Sequence, residues 1–162
     1  EREAFLLILG VNTGLRISDL LKVTWGQVLA GVFYVHEQKT GKARKITLNK
    51  ITQETLKELE QGAPDDFVFK SESNRVRGRQ QPWEQTYPRK ILKHYAQLAG
   101  VPENVGTHSL RKTFGYALYK AGHRVEYIQK ILNHSTPEIT LRYIGIEQEH
   151  LDQMVMELSL GA

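Results

Sequence analysis

The chain contains no cysteine among its 162 residues, so disulfides and thiolate metal sites are excluded. It also lacks a long hydrophobic run. The longest, Ala4 to Val11, falls far short of the roughly 20 residues that a membrane-crossing helix needs. There are no repeats and no low-complexity segment, nothing resembles a secretory signal, and the chain opens on "EREAF" rather than methionine. No carboxylate cluster suggests a two-metal centre, and no glycine-rich loop suggests a phosphate cradle. With 25% charged and 40% apolar residues, the length fits one globular domain that buries about two thirds of its unfolded surface. The expectation is an excised domain of a soluble cytosolic protein.

What is present is basic charge, unevenly spread. The net charge is +4 and the pI near 9.3. Lys39, Lys42, Arg44, Lys45 and Lys50 follow one another with no acid between them. Lys70 to Lys93 holds seven basic residues against Glu72 and Glu84, whereas from Gly145 onward there are four acids and neither Lys nor Arg. Such asymmetry points to a polyanion-binding face as readily as to a solvated surface.

Periodicity and punctuation give a mainly helical chain with one small antiparallel sheet, an α+β fold. Residues 2–12 read as a buried helix stopped near Gly14, and Arg16 to Val23 as a second. "GVFYVHE" and "ARKITLN" alternate around "QKTGK", a hairpin with Gly41 in its turn. "NKITQETLKELEQG" reads as a helix capped by Gly62, "DFVFK" as a short strand, "SESNRVRGRQQPW" as a basic loop, and residues 84–99 as a helix. In "GTHSLRKTFGYALYKAGH", Leu110, Phe114, Ala117, Leu118 and Ala121 form one apolar stripe. A helix through Val125, Ile128, Ile131 and Leu132 follows. "STPE" then starts a short helix with Thr136 as cap and Pro137 in its first position, ending at Gly145. "EQEHLDQMVMEL" carries Leu151, Met154, Val155 and Leu158 on one face.

Several residues in this frame could carry chemistry. His108 and Arg111, three apart on a helix, share a flank beside the apolar stripe. A guanidinium donates two hydrogen bonds to a phosphodiester, and an imidazole moves protons near neutral pH. Arg16 follows Gly14 at a helix start, where anions are favoured, with Asp19 one turn on. Lys39 sits at the hairpin tip, where an ammonium could protonate a leaving alkoxide. His134 precedes the short helix bearing Tyr143, whose hydroxyl needs cationic neighbours or a base to act as a nucleophile. Each of these has an ordinary structural explanation when taken alone.

Their order is more telling. Arg16, Lys39, His108-x-x-Arg111, His134 and Tyr143, in "TGLRISDLLKVTW", "KTGKARKITL", "THSLRKTFGYAL", "IQKILNHS" and "TLRYIGI", resemble the active-site series of the tyrosine recombinases, or phage integrase family. The gaps of 23 residues from Arg111 to His134 and nine from His134 to Tyr143 match as well. The resemblance implies the catalytic-domain fold of that family over residues 1–162, with the helical core-binding domain that usually precedes it absent. It implies site-specific DNA cutting and rejoining through a 3′-phosphotyrosine, without metal, ATP or other cofactor. Tyr143 would be the nucleophile, Arg16 and Arg111 the clamp on the phosphate, Lys39 the general acid, and His108 a proton-transfer group. His134 would hydrogen-bond the phosphate, and Asp19 would support the set. Lys42, Arg44, Lys70, Arg75, Arg77 and Arg79 are candidates for further DNA contacts. The partner would be double-stranded DNA, with a tetramer assembled on it, a monomer expected alone, and no membrane involved. The setting implied is the cytoplasm of a bacterial cell carrying a prophage or mobile element. Asn133 departs from the glycine that the family often has before this histidine. Two other readings stay open: a non-catalytic helix-turn-helix-like module over "RVEYIQKILNHSTPEITLRYI", and a type IB topoisomerase that relaxes DNA.

Overall fold

Phe5, Leu6 and Leu9 recur at helical spacing and are fully buried, which fixes α1 over Arg2–Thr13. Gly14, in the left-handed conformation at φ 60°, ends it and donates its N–H back to the Gly10 carbonyl. The computed structural model describes residues 1–71, 81–101 and 104–160, so the expected contacts of Arg75, Arg77 and Arg79 lie outside the described residues. The chain divides into two compact units, Glu1–Arg111 and Lys112–Ala162.

In the first unit the helix expected over Arg16 to Val23 is a single turn, α2, Ile17–Leu20. The chain then restarts as α3, Trp25–Ala30, a helix that the periodicity did not suggest. Its start is a capping box: Thr24 Oγ1 accepts from Gln27 N, and the Gln27 side chain accepts from Thr24 N. β1 (Val32–His36) and β2 (Ala43–Thr47) pair antiparallel, with Val35 opposite Arg44 and Phe33 opposite Ile46. Asn49 caps α4, Lys50–Lys57, which stops well before Gly62. Gly62 is needed for another reason, because a Cβ there would lie 2.7 Å from Trp25 Nε1. "DFVFK" is likewise not a strand. Among the described residues it makes only the isolated bridges Thr24↔Phe67 and Lys70↔Pro82, while Val68 and Phe69 are buried in the core.

One hydrophobic cluster runs through this unit from Phe5 and Leu9 to Trp25, Phe33, Ile46 and Phe69. Trp83 extends it, its ring 5.4 Å from that of Phe69. α5, Thr86–Leu98, buries Ile91 and Leu92. The first turn of α6, Thr107–Lys120, sets Leu110 against Gly10, where an added Cβ would meet Leu110 Cδ1 at 2.7 Å.

The second unit begins within α6 and continues through α7 (Val125–Ile131), α8 (Pro137–Ile144) and α9 (Ile146–Met156). Ile128, Leu132, Ile144 and Ile146 form its core, with Phe114, Leu118 and Tyr143 packed against them. α8 starts and stops where its sequence signals put it. Thr136 Oγ1 accepts from Ile139 N, Pro137 occupies the first turn, and Gly145 at φ 86° closes the helix. α9 follows at once and buries only Ile146. Its Leu151, Met154 and Val155 are exposed, as is Leu158 beyond its end, and Glu149 ties it to Lys120 and Tyr116 of α6. Among the described residues no helix is long and apolar enough to cross a membrane. The expected mainly helical fold with one small antiparallel sheet is the fold observed.

Gly115 lets α6 approach the rest of the second unit, for a Cβ there would lie 2.7 Å from Ile144 Cγ2 and 3.1 Å from Leu132 Cδ1. Gly115→Ala is expected to destabilise this unit by about 1–3 kcal/mol, since a β-branched side chain has little freedom to yield. Urea unfolding of the two proteins measures the difference, and equal midpoints would refute it.

Candidate active site

The hairpin's alternation carries a charge inward. Phe33 and Val35 face the core from β1, and two residues further on the same period brings in Glu37, which is completely buried. On β2 the inward positions are Arg44 and Ile46. A buried carboxylate needs partners, and here they are guanidinium groups. Arg16 Nη1 donates to Glu37 Oε2 at 2.6 Å. Arg111 Nη1 and Arg44 Nη1 lie 3.7 and 3.9 Å from Glu37 Oε1.

The end of α1 supplies the remaining acceptors. Helix C-termini leave carbonyls without intrahelical partners, at the negative end of the dipole. The Gly14 carbonyl accepts from Arg111 Nη1 at 2.6 Å and from Arg44 Nη1 at 3.2 Å. Arg44 Nη2 donates to the Thr13 carbonyl. Burial, with Arg111 alongside, lowers the Arg44 guanidinium from its ordinary value to about 10. Arg44 is therefore committed to the interior of the unit, although its place in a basic run suggested a surface contact. Arg111 is just 2% exposed, whereas the Arg16 side chain keeps 16% of its surface open.

Lys39 projects from the turn between β1 and β2 and is exposed, as is Lys42. The turn itself is well fixed. Gly41 N donates to Glu37 O at 2.8 Å, Thr40 Oγ1 donates to Glu37 Oε2 at 3.0 Å, and Gly41 takes φ 66°. From α2, buried Asp19 accepts the N–H of Gln38 at 3.0 Å through Oδ1. Asp19 thus holds the residue next to Lys39 rather than forming a local pair with Arg16. His108 lies on the first turn of α6 and is exposed. Lys70 is paired with Asp66 at 3.3 Å.

In the second unit His134 and Tyr143 meet edge to face, their ring centroids 4.9 Å apart. His134 Nδ1 is hydrogen-bonded with the hydroxyl of fully buried Thr140 at 3.0 Å, and its backbone N–H and C=O are both engaged by Gln129. The Tyr143 ring is half-buried, its hydroxyl oxygen is enclosed, and Lys112 Nζ stands 5.7 Å from the ring centroid. Asn133, just before this histidine, has φ 51°. Glycine adopts that left-handed conformation freely, and asparagine is the side chain that tolerates it best.

The structure thus gathers Arg16, Arg111 and the turn of Lys39 around one carboxylate in the first unit, and His134 with Tyr143 in the second. Sequence reasoning missed Glu37, Thr40 and Thr140. Glu37 had a signal: "FYVHE" places it in register with Phe33 and Val35, on the face that a charge avoids unless paired.

The chain matches the family model described as the phage integrase family over residues 1–150. It is 40% identical over 151 residues to the probable integrase/recombinase YoeC of Bacillus subtilis (strain 168), covering 92% of this chain and 80% of that protein. Among solved structures it resembles XerA recombinase, with a TM-score of 0.72 at 20% identity, covering 96% of this chain and 56% of the other. It also resembles the Tn1549 transposon integrase solved in complex with a circular intermediate DNA, with a TM-score of 0.63 at 23% identity, covering 87% and 52%. These two are likenesses of fold, and the chain spans about half the length of each.

Asn133 supports a prediction of its own. Asn133→Gly is expected to leave stability nearly unchanged, whereas Asn133→Val should cost about 1–3 kcal/mol because a β-branched residue resists positive φ. Thermal unfolding separates the two, and an Asn133→Val protein as stable as the parent would refute the backbone explanation.

Proposed function

The chain belongs to the phage integrase family, and from that premise we propose that it is a site-specific recombinase acting on double-stranded DNA through a 3′-phosphotyrosine. The observation that carries this reading is the convergence of Arg16 and Arg111 on one buried carboxylate, Glu37. Two guanidiniums from distant parts of the chain, held together in this way, form a rigid receptor for the two non-bridging oxygens of a phosphodiester.

The steps follow from the chemistry of the groups. Tyr143 Oη attacks the scissile phosphorus, forming the P–Oη bond while the P–O5′ bond breaks. The phenolic proton passes to His108, and Lys39 gives its proton to the departing 5′-oxygen. Arg16 and Arg111 stabilise the charge that gathers on the phosphorane, with His134 donating a further hydrogen bond. Rejoining is the reverse attack by a 5′-hydroxyl. The phosphotyrosine keeps the energy of the phosphodiester, so the cycle balances without ATP. The exposed tip position of Lys39 suits a group that must reach a ligand. The Tn1549 integrase complex with DNA supports DNA as the partner. We place the protein in the bacterial cytoplasm, encoded by a prophage or mobile element and assembling as a tetramer on two DNA sites.

A pool of nicked duplexes of randomised sequence tests this reading, because a nick beside the cut traps the covalent intermediate. The wild-type chain is expected to yield a DNA adduct that survives denaturation, and Tyr143→Phe none. An adduct formed equally by Tyr143→Phe would remove Tyr143 as nucleophile. Binding without any adduct would favour the DNA-binding module. Arg16→Lys keeps a charge beside Glu37 but loses the planar fork, and should slow adduct formation by about 100-fold. An unchanged rate would contradict the clamp.

A further inference from the structure

Glu37 stands between the two parts of the first unit that the proposed reaction uses. Its Oε2 takes a hydrogen bond from Arg16 at 2.6 Å and another from the Thr40 hydroxyl at 3.0 Å. Thr40 is the neighbour of Lys39, and the Glu37 carbonyl also accepts from Thr40 N at 3.3 Å and Gly41 N at 2.8 Å. On the other side, Oε1 faces Arg111 at 3.7 Å. One side chain is thus tied to the partly open guanidinium, to the buried guanidinium and to the turn that presents the lysine.

A carboxylate in this place is expensive to maintain. Removing an ion from water carries a large desolvation penalty, and buried ion pairs are often no more stabilising than well-packed apolar groups. Arg44 and Arg111 already have carbonyl acceptors at the end of α1. Arg16 is different: its side chain is tied to Glu37 at the rim of the buried cluster, with part of its surface still open. Without that bond the fork would sample many rotamers and would have to be ordered when the phosphate arrives. Thr40 would lose its side-chain anchor in the same event. The ledger of charges points the same way, for Glu37 and Asp19 together offset two of the three guanidiniums in the cluster. A net positive charge is left to face an anion.

Resting on the recombinase reading above, we infer that Glu37 is a positioning residue for DNA cleavage: its buried carboxylate holds the Arg16 fork and the Lys39 turn in one fixed relation to Arg111, so that the phosphate clamp and the proton donor act as a unit. Glu37 touches no substrate atom itself. It acts on the phosphate through the arginines and on the leaving oxygen through the turn.

The test uses a duplex recovered through its adduct with the wild-type chain from the randomised nicked pool. It is made in two forms, one with the natural scissile phosphate and one with a methylphosphonate there, which lacks the negative charge that the arginines neutralise. Glu37→Gln keeps the shape and the acceptor for Thr40 but removes the charge. Glu37→Asp keeps the charge but draws it back by one methylene, and serves if Glu37→Gln fails to fold. Either folded variant should bind the duplex within about threefold of wild type and cleave the phosphate about 10- to 100-fold more slowly. On the methylphosphonate the gap to wild type should narrow severalfold, because the clamp has less charge to neutralise and only the share due to the Lys39 turn remains. A deficit of the same size on both substrates would overturn the proposal and leave Glu37 a purely structural residue, as would a folded Glu37→Asp protein that cleaves the phosphate at the wild-type rate. A wild-type chain that yields no adduct from the pool overturns the recombinase reading, and this one with it.

Discussion

One carboxylate with no access to water organises the first unit. Glu37 is drawn inward by strand alternation, and a charge in that position requires cations around it. Arg16, Arg44 and Arg111 meet that requirement from three separate elements: the loop after α1, the second strand and the first turn of α6. The carbonyls that end α1 receive the surplus donors. Gly14 contributes twice, by stopping α1 in a left-handed turn and by offering its carbonyl to two arginines. The same constraint joins fold to chemistry, since a unit that has closed around Glu37 has also placed two of its candidate phosphate ligands.

The second unit reaches a comparable result with backbone devices. Asn133 turns the chain through positive φ, Gln129 engages the His134 backbone on both sides, and Thr140 steadies the imidazole from α8. That imidazole meets the Tyr143 ring edge to face, an arrangement favoured by the quadrupole of the ring. Ile144, the next residue, is buried in the unit's core. The tyrosine is therefore anchored beside a buried neighbour, its ring half-buried and its hydroxyl oxygen enclosed.

Local signals in the sequence were legible where the physics is local. Thr136, Pro137 and Gly145 gave α8 its limits, and "QKTGK" gave the hairpin turn. The ordered series from Arg16 to Tyr143 gave the family, which the match over residues 1–150 shows. Tertiary effects were harder to read. Gly62 looks like a helix cap in the sequence, but its reason lies in Trp25, whose ring leaves no room for a Cβ. α3 escapes the periodicity although Thr24 and Gln27 spell a capping box, because Trp25 both closes the "TGLRISDLLKVTW" motif and starts the helix. Arg44 looked like one member of a basic run; only its register opposite Val35 shows that it points inward. Glu37 is hidden for a similar reason, since its partners come from the loop after α1, from β2 and from α6, and no window of sequence contains them together.

The buried cluster also limits how this sequence can drift. The exposed side chain of Lys42 is not held by the packing of the unit. Glu37, Arg44 and Arg111 have no such latitude. Loss of the acid removes the carboxylate that faces two interior cations, and loss of either cation takes one donor from the Gly14 carbonyl and one positive charge from beside the acid. Exchanges among the three are coupled, so their effects on stability do not simply add. A change at any one of the three is therefore felt at the other two, and at the Gly14 carbonyl that two of them share.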